Sequence, residues 1–215
     1  MKHSKILILL GALGYGVCLV ADIILEFVNG IRLRADTFTD FQLFLHFTED
    51  VDAARFAVSG LLGLSSMILI AMGMIGLYEL TKPNAPLLSE FVLFGGIGSA
   101  VLGGGFHLLY TLQPWFFVSL GRSEEIFEVL QQFVSAHNII FILNPLFYTI
   151  MSVSLFIVLI TKKTLFPRWT CIFNLLILFF VLNAFHIIGA TSIAGFLMCA
   201  GIFVVSLSVK KKNLE

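Results

Sequence analysis

ILILLGALGYGVCLVADIILEFV, residues 6–28, is an almost unbroken apolar run carrying two acids, Asp22 and Glu26. As a helix rising about 1.5 Å per residue it is long enough to cross the ~30 Å hydrocarbon core of a bilayer. The acids stand four residues apart and so share one helix face. A carboxylate near the bilayer centre costs about 2.5–3.5 kcal/mol on insertion scales, so it turns toward a bundle interior, a partner or water. The other membrane segments have to answer these two acids.

Composition agrees with a membrane class. Of 215 residues 59% are apolar and 12% charged, and the formal net charge is zero, with a mean hydropathy of +1.01. Such a chain offers no basic surface for nucleic acid. Working outward from the first run, five more segments reach spanning length: 56–80, 90–112, 134–160, 169–188 and 191–209. The sequence therefore predicts an all-α fold, a single domain over residues 1–215, built as a bundle of six transmembrane helices. The first run follows Lys2 and Lys5 as a signal peptide would, but it is too long and has acids where a cleavage site belongs, so it reads as a retained helix. Cys18, Cys171 and Cys199 all lie in apolar runs without metal-ligand spacing and read as packing thiols.

Basic residues set the orientation. With the N-terminus inside, the inner segments hold Lys2, Lys5, Lys82, Lys162, Lys163, Arg168, Lys210, Lys211 and Lys212. The outer ones hold Arg32, Arg34, Arg55 and Arg122. That asymmetry predicts both termini in the cytoplasm. In the first outer loop Phe38, Phe41, Phe44, Leu45 and Thr48 recur at helical spacing, predicting an amphipathic helix in the outer interface. The second outer loop opens on an aromatic anchor, Pro114-Trp115-Phe116-Phe117, and Ser123 is placed to cap a helix with Glu124 and Glu125 in its first turn. Gly95, Ser99, Gly103 and His107 form a small-residue stripe at steps of four, with Gly96, Ala100 and Gly104 beside it. Such stripes let helices approach closely in lipid, which puts the third helix at the centre and Gly103 at a close contact.

Under this topology one layer in the outer half of the bundle collects Asp22, Glu26, His107, His137, Asn138, Asn183 and His186. Tyr148 joins them on the stripe His137, Phe141, Asn144, Tyr148, Ser152, and helix one presents Gly11, Tyr15, Cys18, Asp22 and Glu26 in the same way. Asn144-Pro145 weakens the fourth helix near its middle. Asn174 falls on another face and outside the layer.

Short motifs carry a resemblance: Ala21-Asp22, Gly73-x-x-Gly76-Leu77-Tyr78, Gly103-Gly104-Gly105-Phe106-His107 and Phe166-Pro167-Arg168-Trp169. With these the chain resembles uncharacterised bacterial six-helix integral membrane proteins of unknown function. The resemblance implies the six-helix architecture and a multi-pass place in the bacterial cytoplasmic membrane, and draws attention to Asp22 and His107. It implies no activity.

Three readings of the polar layer follow. The first is a pocket open to the outer side that binds a small amphiphile or lipid, its walls supplied by phenylalanines, Tyr15, Tyr110 and Tyr148. It asks least of the geometry. The second is a zinc-dependent intramembrane hydrolase, with His107, His137 and His186 as ligands and Asp22 or Glu26 as ligand or catalytic base; the chain has no His-x-x-x-His pair. The third is a single-haem redox protein with His137 and His186 as axial ligands. Against all three stands a purely structural hydrogen-bond network between helices, each bond worth about 0.6–2 kcal/mol.

Overall fold

The computed structural model describes residues 2–28, 31–32, 36–161, 164 and 166–208. Arg34, Lys162, Lys163, Lys210, Lys211 and Lys212, which enter the orientation argument, lie outside the described residues. The elements are helical throughout, apart from a two-residue antiparallel pairing of Phe27–Val28 (β1) with Ile31–Arg32 (β2). In chain order the helices are α1 (Lys2–Glu26), α2 (Phe41–Thr48), α3 (Ala53–Thr81), α4 (Pro86–Leu120), α5 (Glu124–Ala136), α6 (Ile139–Ile160), α7 (Leu175–Ala184) and α8 (Ala190–Ser208). Five of them, α1, α3, α4, α6 and α8, are long and apolar enough to cross a membrane. Their outward faces are apolar too: Leu61, Val101 and Ile142 are 68%, 70% and 66% exposed.

The run at 169–188 is not one long helix. A 3-10 segment, Arg168–Ile172, leads to Asn174, and only ten residues of α7 follow. Asn174 explains the break. Its side chain accepts from the Leu176 amide at 3.1 Å and donates to the Ser152 carbonyl at 2.7 Å. An asparagine that caps the next turn offers the backbone an alternative to continuing a helix through it. At about 15 Å, α7 spans half a hydrocarbon core.

Two further boundaries differ from expectation. Pro114 lies inside α4, which runs on through the aromatic anchor to Leu120 and stops at Gly121, where φ is 106°. The lost ladder bond is offset by burying Phe117 completely. The fourth helix breaks at His137 and Asn138 rather than at Pro145, which α6 accommodates. His137 causes this: its Nδ1 takes the Phe133 carbonyl at 2.7 Å, while its backbone amide turns back to Val134. The ring thereby takes the carbonyl to which the His137 amide would bond in a continuing helix. Ser123 caps α5 as its sequence suggests, accepting from the Ile126 amide.

The helices pack as a chain of neighbours, α8 on α1, α1 on α3, α3 on α4 and α4 on α6, with α1 and α3 sharing the most extensive contact. Glycine makes that contact possible. A Cβ on Gly11 would lie 2.6 Å from the Gly73 Cα, so the two backbones touch. A Cβ on Gly95 would lie 2.5 Å from the Met151 amide of α6. Gly103 is looser, with Met67 Sδ at 3.4 Å from a Cβ placed there. The close approaches are thus Gly11 to Gly73 and Gly95 to Met151, and α4 shares the centre with α1 and α3.

One end of the bundle is capped. Phe44 and Phe47 of α2 are fully buried with Val28, Phe56, Phe117 and Phe127. The apolar face of α2 is therefore satisfied by protein. Arg122 fastens the cap by donating to the Thr48 and Val51 carbonyls, and Gln131 donates to the Phe38 carbonyl. Arg55 donates to the Ile24 and Phe27 carbonyls, satisfying acceptors that the end of α1 leaves open.

Candidate functional site

Asp22 is answered by three helices. From α8, the Ser192 hydroxyl donates to Asp22 Oδ2 at 2.6 Å. From α4, His107 Nδ1 stands 3.6 Å from Asp22 Oδ1. The other nitrogen, Nε2, reaches α3, where it lies 3.2 Å from the Ser59 carbonyl and 3.4 Å from the Ser59 hydroxyl. Ser59 returns to α1, donating to the Ala21 carbonyl at 2.8 Å. The network thus joins four helices at one level. Room for the imidazole comes from Gly63, one turn beyond Ser59, since any Cβ there would strike the ring. Gly189, with φ at 63°, closes the α7–α8 turn against Leu19 and Asp22.

The tautomer follows from the partners. A backbone carbonyl only accepts, so His107 Nε2 carries the hydrogen and a neutral ring turns the Nδ1 lone pair to Asp22. With Asp22 ionised and the ring neutral, two acceptors face each other across 3.6 Å. The arrangement is suited to holding something positive between them. Cys18 lies one helical turn before Asp22, and its sulfur, an Asp22 oxygen and a His107 nitrogen all lie within 4.8 Å of one another.

These groups line a cavity of about 490 Å³ between α1, α4, α6, α7 and the start of α8. Asp22, Glu26 and His107 are at its polar end, and Tyr15, Tyr148, Met67, Phe106, Phe179 and Phe180 are among its walls. One buried oxygen on that wall, Asn144 Oδ1, has no hydrogen-bond partner, while the Tyr15 hydroxyl faces that of Tyr148. Buried polar atoms rarely stay unpaired, so Asn144 Oδ1 is placed to meet a guest. A second cavity, about 360 Å³, lies between Phe38, Tyr110, Gln131 and Phe141.

Of the residues singled out in the sequence, Asp22, Glu26, His107, Tyr148 and Asn183 line the larger cavity. Asn138 lines the smaller one. His137 is spent on the α5 terminus, and His186 is exposed in the turn after α7 with φ at 53°. Among the described residues His107, His137 and His186 do not assemble as one ligand set; only His107 enters a cluster, and its companions are Cys18 and Asp22. Ser59, Gly63 and Ser192 are the contributors that the sequence reading passed over, and Cys18, placed on the Asp22 face, was read only as a packing thiol. Two signals were present: Cys18 is four residues before Asp22, and Ser59 and Gly63 make a small-residue step of four on a facing helix.

No curated protein and no solved structure matches the chain significantly. Residues 1–209 match the model described as a family of unknown function (DUF6796), and the chain belongs to that family.

Proposed function

We propose that this is a multi-pass integral membrane protein, with both termini cytoplasmic, whose larger cavity binds a small amphiphile or lipid from the outer half of the bundle. The observation that carries this reading is one cavity of about 490 Å³ with largely apolar walls and a polar end at Asp22, Glu26 and His107. Its volume falls within the roughly 300–1,000 Å³ of small-molecule sites. The unpaired Asn144 oxygen supports a guest with a hydrogen-bond donor. Two carboxylates at the polar end favour a neutral or cationic head group over an anionic one. The apolar tail would lie along Phe106, Phe179 and Phe180.

The test is extraction of protein purified in detergent, followed by mass spectrometry of what is retained. One amphiphile should co-purify in near-stoichiometric amount. Gly103→Leu, which extends into the cavity from a position with ordinary clearance, should lose it while the gel-filtration profile is unchanged. Equal retention by both proteins, or none by either, would reject the reading.

A further inference from the structure

We propose that Cys18 Sγ, Asp22 Oδ1 and His107 Nδ1 form a binding site for one zinc-like divalent cation, with the remaining coordination position facing the cavity. The argument starts from the direction of the imidazole. Because Nε2 is committed to the Ser59 carbonyl, Nδ1 is the nitrogen presented to Asp22. Asp22 Oδ2 is committed to Ser192, so Oδ1 is the oxygen presented to His107. Two of the three ligands, His107 and Asp22, are thus held by a second group that fixes their orientation, which is the arrangement by which metal sites are preorganised.

The spacing suits an ion better than a shared proton. A charge-assisted hydrogen bond would draw Nδ1 and Oδ1 to about 2.7–2.9 Å. They stand at 3.6 Å. An ion about 2.1 Å from each would subtend roughly 118° between them, near the tetrahedral angle. The Cys18 sulfur lies within 4.8 Å of an Asp22 oxygen and a His107 nitrogen, near enough to share one ion with them. A shared proton has no use for the thiol, whereas zinc takes sulfur, imidazole nitrogen and carboxylate oxygen together. Binding releases the thiol proton to solvent, so affinity should rise with pH. All three residues also line the cavity, leaving the fourth position open to water or to an oxygen of a guest.

The site is independent of the amphiphile reading, because a metal can bind whether or not the cavity holds a lipid. The full chain, stripped with a chelator in detergent, would be loaded with Co²⁺ or Zn²⁺, desalted and assayed for metal by mass spectrometry. One ion per chain should be retained, and the Co²⁺ form should show a thiolate charge-transfer band with the intense visible bands of a four-coordinate site. Cys18→Ser should abolish the charge-transfer band, and Ser192→Ala should weaken binding about tenfold through the freed carboxylate. Gly103→Leu should keep the metal even where it loses the amphiphile. Wild-type protein that retains no stoichiometric metal, or that retains Co²⁺ without the thiolate band, overturns the proposal; this outcome does not depend on any variant folding.

Discussion

Asn174 shows how one side chain redirects a segment that hydropathy alone reads as a span. Its amide caps α7 and its amino group holds the Ser152 carbonyl of α6, in a position only 2% exposed. Asn174→Ala should remove both bonds and lower stability by about 1–2 kcal/mol. Thermal unfolding of the purified protein in detergent measures this. A wild-type midpoint for the alanine variant would mean that the break in the fifth run has another cause. Asp22 was legible in the sequence because charge in an apolar run is costly anywhere. The partners Ser59 and Ser192 were not, because serine is ordinary in membrane helices and gains meaning only from what it faces.

Helix packing separates two kinds of glycine that look alike in the sequence. Gly95 and Gly103 share one stripe of α4 at steps of four, yet a Cβ on Gly95 would collide with the backbone of α6 while one on Gly103 meets the flexible end of Met67 and, at 3.9 Å, Asn144 Oδ1. Gly95→Ala should therefore cost about 1–3 kcal/mol by overpacking, and Gly103→Ala should be nearly neutral. The comparison is made by thermal unfolding of the two single variants side by side; equal losses would mean that the stripe acts as a unit. The long helices were legible from apolar runs of spanning length. Their exact ends were not, because α4 continues past Pro114 to bury Phe117 in a cap contributed by α2 and α5, and its α2 partner Phe44 lies far away in sequence. Likewise the break before α6 is made by one histidine ring on one carbonyl, while the more conspicuous Pro145 stays inside the helix.

The whole molecule has two unlike ends, and the proposed orientation can be argued from that difference. At one end the cap of α2 and α5 is held by Arg122 and Gln131, with the acidic first turn of α5 beside it. At the other, α1 begins where α8 ends: Lys5 donates to the Ser206 carbonyl, and Ser4 bonds Glu79 near the last turn of α3, just before Lys82. Short basic connections favour the cytoplasmic side, so the Lys5 and Lys82 end should face the cytoplasm and the cap should face out. The cavity's polar residues Asp22 and Glu26, in the last turns of α1, would then lie toward the outer side, where an amphiphile from that leaflet has the shorter path. Glu128 is exposed on α5 and Lys82 is exposed at the opposite end. With a membrane-impermeant thiol reagent, Glu128→Cys should be labelled in intact cells and Lys82→Cys only after permeabilisation, each measured against the unsubstituted chain to subtract Cys18, Cys171 and Cys199. The reverse pattern would turn the protein over and open the cavity's polar end to the cytoplasm, so the guest would have to come from the inner leaflet.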